Sequence, residues 1–300
     1  MGMRWGRLYF AVQATAGLAW WIAVFLSPVV RETTLGRLNP TVVAVFDIPL
    51  FVVASAVAAF GVRPAAAVST GWTGVVSLGL ATYATVTTQA GWGVLAMGAA
   101  TVGSLGALCI ILFGRVPTEW IITGPFVFRS ATTRAKPARH VVSTFGQIVI
   151  FWGLFLVVIP LVIAALEQRW GVGLPFPTSA IPFGVMVLVL ASTLGISSGV
   201  IMSTLGDGTP LPSAMANSLV IAGPYRWIRN PMAVSGFVQG VAVGLILESW
   251  LVIAYAVAGS LLWNYAVRPH EEADLEQRFG DEFRRYRDTV RCWVPQIPRP

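Results

Sequence analysis

Residues 232–267 read MAVSGFVQGVAVGLILESWLVIAYAVAGSLLWNYAV. Two uncharged runs, Met232–Leu247 and Trp250–Val267, meet at Glu248 and Ser249. A helix crosses the hydrocarbon core of a bilayer with about 20 apolar residues. A two-residue junction is too short for a domain and suits a tight hairpin of two membrane helices. The first arm is short, so it is expected to tilt or to stop short of a full crossing.

The rest of the chain is made of the same material. It is 56% hydrophobic and only 11% charged, with a mean hydropathy of +0.73. A soluble domain carries about 25% charged residues, so this chain has too little charge to cover a water-exposed surface. Outward from the hairpin, further spans are expected at Leu8–Leu26, Val42–Phe60, Ala67–Val86, Trp92–Phe113, Phe145–Leu166 and Ile181–Met202. The fold class is all-α, a polytopic membrane helix bundle of about eight transmembrane helices. The first run follows Arg4 and Arg7, is long and lacks a small-residue cleavage site, so it reads as a retained span rather than a signal peptide.

The net charge of +7 is mostly arginine lying between apolar runs. Membrane topology accounts for that pattern, and no nucleic-acid partner is expected. The gap 114–143 holds Arg115, Arg129, Arg134, Lys136 and Arg139 against Glu119, which places it in the cytoplasm. Counting spans puts both termini on that side as well. Arg31 and Arg37 in the first outer loop dissent. An arginine-rich, lysine-poor composition suggests a bacterial inner membrane. Cys109 and Cys292 lie in unlike settings and give neither a disulfide framework nor a metal site. Oligomeric state is not legible.

Two segments flank the hairpin. Before it stands GPYRWIRNP, Gly223–Pro231. Gly-Pro and Asn-Pro are turn signals, and the residue before a proline is pushed away from helix. Tyr225–Arg229 can form a turn at most, leaving Arg226 and Arg229 at the cytoplasmic surface. Irregular backbone at membrane depth is tolerated where it lines a cavity or is covered by protein. After the hairpin come Arg268, His270, Glu271 and Glu272. Arg268 and Glu272 are four apart and share a helix face. Leu275, Phe279, Phe283, Tyr286 and Val290 continue at helical spacing as an amphipathic cytoplasmic tail. Gly280-Asp281 interrupts the tail, and Pro295 and Pro298 end it. The hairpin returns the chain to the side of the wedge, so the two charged segments can meet at one depth.

In order, Gly223-Pro224-Tyr225, Arg229-Asn230-Pro231, Arg268-x-x-Glu271-Glu272, Phe279-Gly280, Tyr286 and Val294-Pro295 resemble the isoprenylcysteine carboxyl methyltransferase family and the related phospholipid methyltransferases. GDGTPLP from Gly206 resembles the segment ahead of the wedge in bacterial members. Many members have His at the position of Asn230 and an aromatic at that of Ala233. The resemblance covers the last third of the chain, and the first four spans lie outside it. With the span pattern, it gives an expected division into an N-terminal four-helix region (1–113), a cytoplasmic loop (114–143) and a methyltransferase-like domain (144–300) with its cofactor site in 205–231 and 268–295.

The resemblance implies S-adenosylmethionine as donor and a lipid or other hydrophobic acceptor reaching the site from the membrane. It assigns Gly223, Pro224, Tyr225, Arg229, Asn230, Pro231, Glu272 and Tyr286 to the cofactor, and Arg268, Glu271 and Glu272 to catalysis. Tyr225 and Trp227 offer aromatic faces to adenine or a sulfonium. Arg229 suits a carboxylate. Arg268 would position a carboxylate acceptor, whereas an amine acceptor needs a base, Glu271 or Glu272, with His270 a lesser candidate. Two other readings stay open. One is an NADPH-dependent reductase of the related sterol-reductase fold, with Arg226, Arg284 and Arg285 on phosphates. The other is a transporter or scaffold using Asp47, which precedes Ile48-Pro49 inside the second span.

Overall fold

The computed structural model describes residues 2–120, 146, 149–206 and 217–295. Most of the expected cytoplasmic loop 114–143, the stretch from 207 within GDGTPLP, and Pro298 lie outside these residues. The described chain is helical, without strands. Among the described residues, seven helices have the length and hydropathy to cross a membrane, and an eighth apolar helix, Pro231–Ile246, is shorter. These match the eight expected spans, the short one being the first arm of the hairpin. Large apolar side chains such as Leu26, Phe60, Leu78 and Val102 stand exposed, as expected where the solvent is lipid. The protein is an integral membrane helix bundle.

The chain forms two compact units. One comprises Met1–Pro117 with Leu166–Gly173, the other Thr118–Ala165 with Leu174–Pro300.

In the first unit, α1 (Gly2–Leu26) is followed by α2 (Pro28–Leu35), α3 (Pro40–Ala59), α4 (Arg63–Thr87) and α5 (Gly91–Phe113). Helix α2 falls in the expected outer loop, because Ser27 caps its first turn and Pro28 presets its backbone. Asn39 caps α3 in the same way, its Oδ1 accepting from Thr41 N at 3.0 Å and Val42 N at 3.3 Å. Hydrophobic attraction is weak between helices in lipid, so small residues and buried polar groups join them. Gln13 of α1 donates to Ser55 of α3 (3.0 Å) and Ser69 of α4 (3.1 Å), and accepts from Ser104 of α5 at 2.8 Å. At Gly93 a Cβ would lie 2.0 Å from the Thr34 carbonyl oxygen, so α5 and α2 touch backbone to backbone. Around Pro49, α3 widens into a π-helical turn, Ile48–Val53, rather than breaking. Asp47 just before it is buried, and its two oxygens accept from Trp21 Nε1 (2.8 Å) and Trp72 Nε1 (2.7 Å).

In the second unit, α6 (Val149–Arg169, its last residues belonging to the first unit) is followed by α7 (Ala180–Leu205). Helices α8 (Pro231–Ile246) and α9 (Trp250–Leu262) form the hairpin. Glu248 takes a left-handed φ of 49°, and Ser249 caps α9 through Val252 N at 3.2 Å. Gln239 of α8 is fully buried and donates to Ser192 of α7 at 2.9 Å. A π-helical turn, Trp263–Val267, leads into α10 (Arg268–Thr289).

Candidate active site

The second unit holds the wedge and the post-hairpin segment against one another. Asn230 caps α8, its Oδ1 accepting from Ala233 N at 3.1 Å, and Pro231 takes the first helical position. Gly223–Arg226 forms one 3₁₀ turn, the short turn expected between the two prolines. Gly223 has φ +54°, and a Cβ there would lie 2.2 Å from Ile201 Cδ1. Only glycine meets both demands without strain. Residues 217–222 run in non-helical backbone, giving the cleft a wall that is not a helix.

Arg229 is the hub. Its Nη2 donates to Glu272 Oε1 at 2.7 Å. Its Nη1 donates to the carbonyls of Arg287 (2.9 Å) and Val290 (3.0 Å), and its backbone N–H to Arg291 O at 2.9 Å. The last carbonyls of a helix lack intrahelical partners, and a cation there also suits the helix dipole. Arg229 thereby ties the C-terminal end of α10 to the wedge. Tyr286 makes a second tie, its hydroxyl donating to the Tyr225 carbonyl at 2.6 Å.

The tail closes because α10 is not straight. At Gly280, φ is 53° and ψ −125°, an interruption where the sequence expected one. Asp281 pairs with Arg284. Beyond the kink, Phe283, Tyr286 and Val290 pack with Leu219, Leu275 and Phe279. The expected apolar face of the tail is thus the cover of the cleft.

The π-helical turn sets the other wall. Five residues of α-helix subtend about 500°, which would leave Trp263 and Arg268 some 140° apart. The wider turn brings both to the cleft. Trp263 stacks edge-on with Trp293, and Trp293 Nε1 donates to Asn264 Oδ1 at 2.8 Å. Cys292 is buried and lines the cleft with Arg268.

The cleft has a cavity volume of about 110 Å³, and about 810 Å³ of empty space when its open mouth is counted. Of the expected site residues, Tyr225, Arg229, Asn230, Arg268, Glu271, Glu272 and Tyr286 line it. Gly223, Pro224 and Pro231 shape the backbone behind it. Met202, Leu219, Val220, Met232, Trp263 and Cys292 also line it and were not anticipated. Trp227 is exposed, as an interfacial aromatic would be. His270 is not among the lining residues, and its Nε2 lies 3.1 Å from Thr118 Oγ1.

Charge is distributed unevenly. Glu272 is held by Arg229, with Arg268 Nε 4.0 Å away. Glu271, beyond the apolar end of the hairpin, has its pKa pushed up to about 7. Burial is the main cause, with Glu272 and Asp274 adding repulsion and Arg229 opposing them. Burial also raises the Tyr225 and Tyr286 phenols, so both stay neutral donors. Arg268 Nε is buried and has no hydrogen-bond acceptor among the described residues. An orphaned guanidinium donor costs free energy unless an acceptor reaches it. A cleft with one open cationic donor, aromatic and apolar walls, irregular backbone and an open mouth fits a cofactor bearing a carboxylate and an aromatic base.

The reductase reading finds less here. Arg226 is exposed, and Arg284 pairs with Asp281 and Glu276. Neither these two nor Arg285 lines the cleft.

No curated protein matches the chain. A solved structure of the eukaryotic intramembrane Ras methyltransferase ICMT (isoprenylcysteine carboxyl methyltransferase) is similar at 17% identity, covering 99% of this chain and 98% of that one. The TM-score is 0.34, too low to establish a common fold. Residues 180–282 match the family model of phospholipid methyltransferase, from the start of α7 through the wedge and hairpin to just past the Gly280 kink. That match falls on the stretch that carries most of the ordered motifs, Gly223-Pro224-Tyr225 through Phe279-Gly280.

Proposed function

We propose that the protein is a membrane methyltransferase that uses S-adenosylmethionine to methylate a lipophilic acceptor at the cytoplasmic leaflet. The observation that carries this reading is the meeting of the wedge and the post-hairpin segment in one cleft, joined by Arg229 and Glu272 at 2.7 Å. The family of residues 180–282 supports it, and the arginine bias of the loops supports the cytoplasmic side.

S-adenosylmethionine, when bound, supplies an electrophilic methyl group on a sulfonium. The task of the protein is then alignment and exclusion of water. Arg268, with its open Nε, is the donor for a carboxylate of the cofactor or the acceptor. Arg229 acts through its ties, holding the tail and Glu272 in place. Leu275, Phe279 and Phe283 supply the apolar wall that keeps water from the reacting atoms. Glu271 is the candidate base for an ammonium acceptor, since a carboxyl titrating near neutrality can take up a proton and release it. A carboxylate acceptor needs no base.

The test is calorimetry with S-adenosylmethionine on the purified full chain in detergent, joined to a radiolabelled methyl-transfer assay with membrane lipid extract. The reading expects saturable binding by the wild type, and weakened binding or weakened transfer in Arg268→Ala. Absence of binding, or equal binding and equal transfer by a well-folded Arg268→Ala, would count against it. Loss of transfer in Glu271→Gln with binding retained points to an amine acceptor, and retained transfer to a carboxylate.

A further inference from the structure

The first helical unit has a cavity of its own, about 630 Å³ in volume and well within the range of ligand sites. Its wall is almost wholly apolar and aromatic, with Tyr9, Trp20, Phe46, Phe51 and Trp72 around it. The one acidic residue in that wall is Asp47, 2% exposed. Each Asp47 oxygen accepts from a different indole, Oδ2 from Trp21 and Oδ1 from Trp72. A carboxylate accepting at both oxygens suits its ionised form. Yet no lysine or arginine lines the cavity, and no described residue forms an ion pair with Asp47.

An anion inside a membrane span is costly, and such residues commonly pair with a cation or mark a ligand path. Here the protein supplies two dipolar donors and no counter-charge. Aromatic faces attract organic cations through the ring quadrupole. The π-helical turn beginning at Ile48 widens α3 immediately after Asp47, a distortion often found at functional sites. We propose that this cavity binds a lipophilic organic cation: an apolar body carrying one protonated or quaternary nitrogen. The apolar wall takes the body, and Asp47 with its neighbouring rings takes the charge. This inference does not depend on the methyl-transfer reading, because it concerns the other unit and other residues.

The experiment is equilibrium binding of radiolabelled tetraphenylphosphonium to the purified full chain in maltoside detergent. Decyltrimethylammonium and decanol serve as charged and neutral competitors. Expected are saturable binding and displacement by the ammonium about tenfold more potent than by the alcohol, a difference set by the charge. Asp47→Asn, which keeps an acceptor for an indole, should weaken binding about tenfold. Gly79→Phe offers a second handle: Gly79 lines the cavity, and an added Cβ there meets nothing within 4 Å. It should narrow the cavity and abolish binding without disturbing the helices. No saturable binding, or equal displacement by both competitors (the behaviour of a groove for lipid tails), overturns the proposal. So does unchanged affinity in a monodisperse Asp47→Asn protein. If Asp47→Asn does not fold, unchanged affinity in Gly79→Phe overturns it alone.

Discussion

Arg229 and Glu272 stand 43 residues apart in the chain and meet at 2.7 Å, with side chains 11% and 22% exposed. Between them runs the whole hairpin. Their bond closes a loop that Tyr286 and the other donors of Arg229 also hold shut.

The first prediction concerns that bond. Arg229→Ala removes the Glu272 partner and the donors to Arg287 O and Val290 O at one stroke. Removing one member of a largely buried pair costs about 3–5 kcal/mol at full burial. With partial exposure we expect about 2–4 kcal/mol. Thermal unfolding should show a clear drop in midpoint, and limited proteolysis should cut first within 284–295. Arg229→Lys should recover little, since one ammonium cannot serve three acceptors in that geometry.

Glu271 gives the protein a pH dependence. Its folded pKa, about 7, lies above the ordinary carboxyl value. The folded state therefore holds a proton that the unfolded chain has released between about pH 4.3 and 7. Its stabilising contribution is complete below the unfolded value and is lost as pH rises through 7. Glu271→Gln should flatten that decline in a midpoint-against-pH series. If the acceptor is an amine, the wild-type rate should rise with an apparent pKa near 7, and the variant should lose that limb.

Tyr286→Phe tests the second tie. It removes the hydroxyl donor to the Tyr225 carbonyl, a buried bond of 2.6 Å, while sparing the ring packed against Phe283. Leaving a buried carbonyl unpaired costs about 1–3 kcal/mol. Thermal unfolding should register the loss, and hydrogen exchange should speed up at 223–229 with little change in α7.

Gly223→Ala should destabilise by about 1–3 kcal/mol, because its backbone is left-handed and the new methyl meets Ile201 Cδ1. The contact is with a flexible side-chain end. The double variant Gly223→Ala, Ile201→Ala should relieve the clash but not the backbone strain, and a double-mutant cycle separates the two.

What the sequence made legible follows from which forces act locally. The hairpin could be read because hydropathy and the Glu248-Ser249 junction are properties of neighbouring residues. The wedge could be read because Pro fixes its own backbone and restricts the residue before it, while Gly admits a left-handed turn. Helix α2 was hidden, since a short helix with Arg31 and Glu32 has neither span-like hydropathy nor length, and its Ser27 cap is only a weak signal. The partners of Arg229 were hidden for a different reason. Arginine next to Asn-Pro suggested a hand for a ligand carboxylate, whereas its donors go to helix-end carbonyls some 60 residues away, which no spacing rule encodes. The surroundings of Asp47 were equally illegible: Trp21 and Trp72 reach it from two other helices.

The π-helical turn before α10 acts as a spacer that sets rotational phase. Winding the same five residues, 263–267, as ordinary α-helix would swing everything downstream by about 100°, carrying the post-hairpin carboxylates off the cleft. Exchanging one side chain for another in that stretch would be mild by comparison. Losing one residue of this stretch as the winding tightens would instead leave the phase almost where it is, because four α-helical steps cover about the angle that the wider five-residue turn does; here residue count and winding compensate one another.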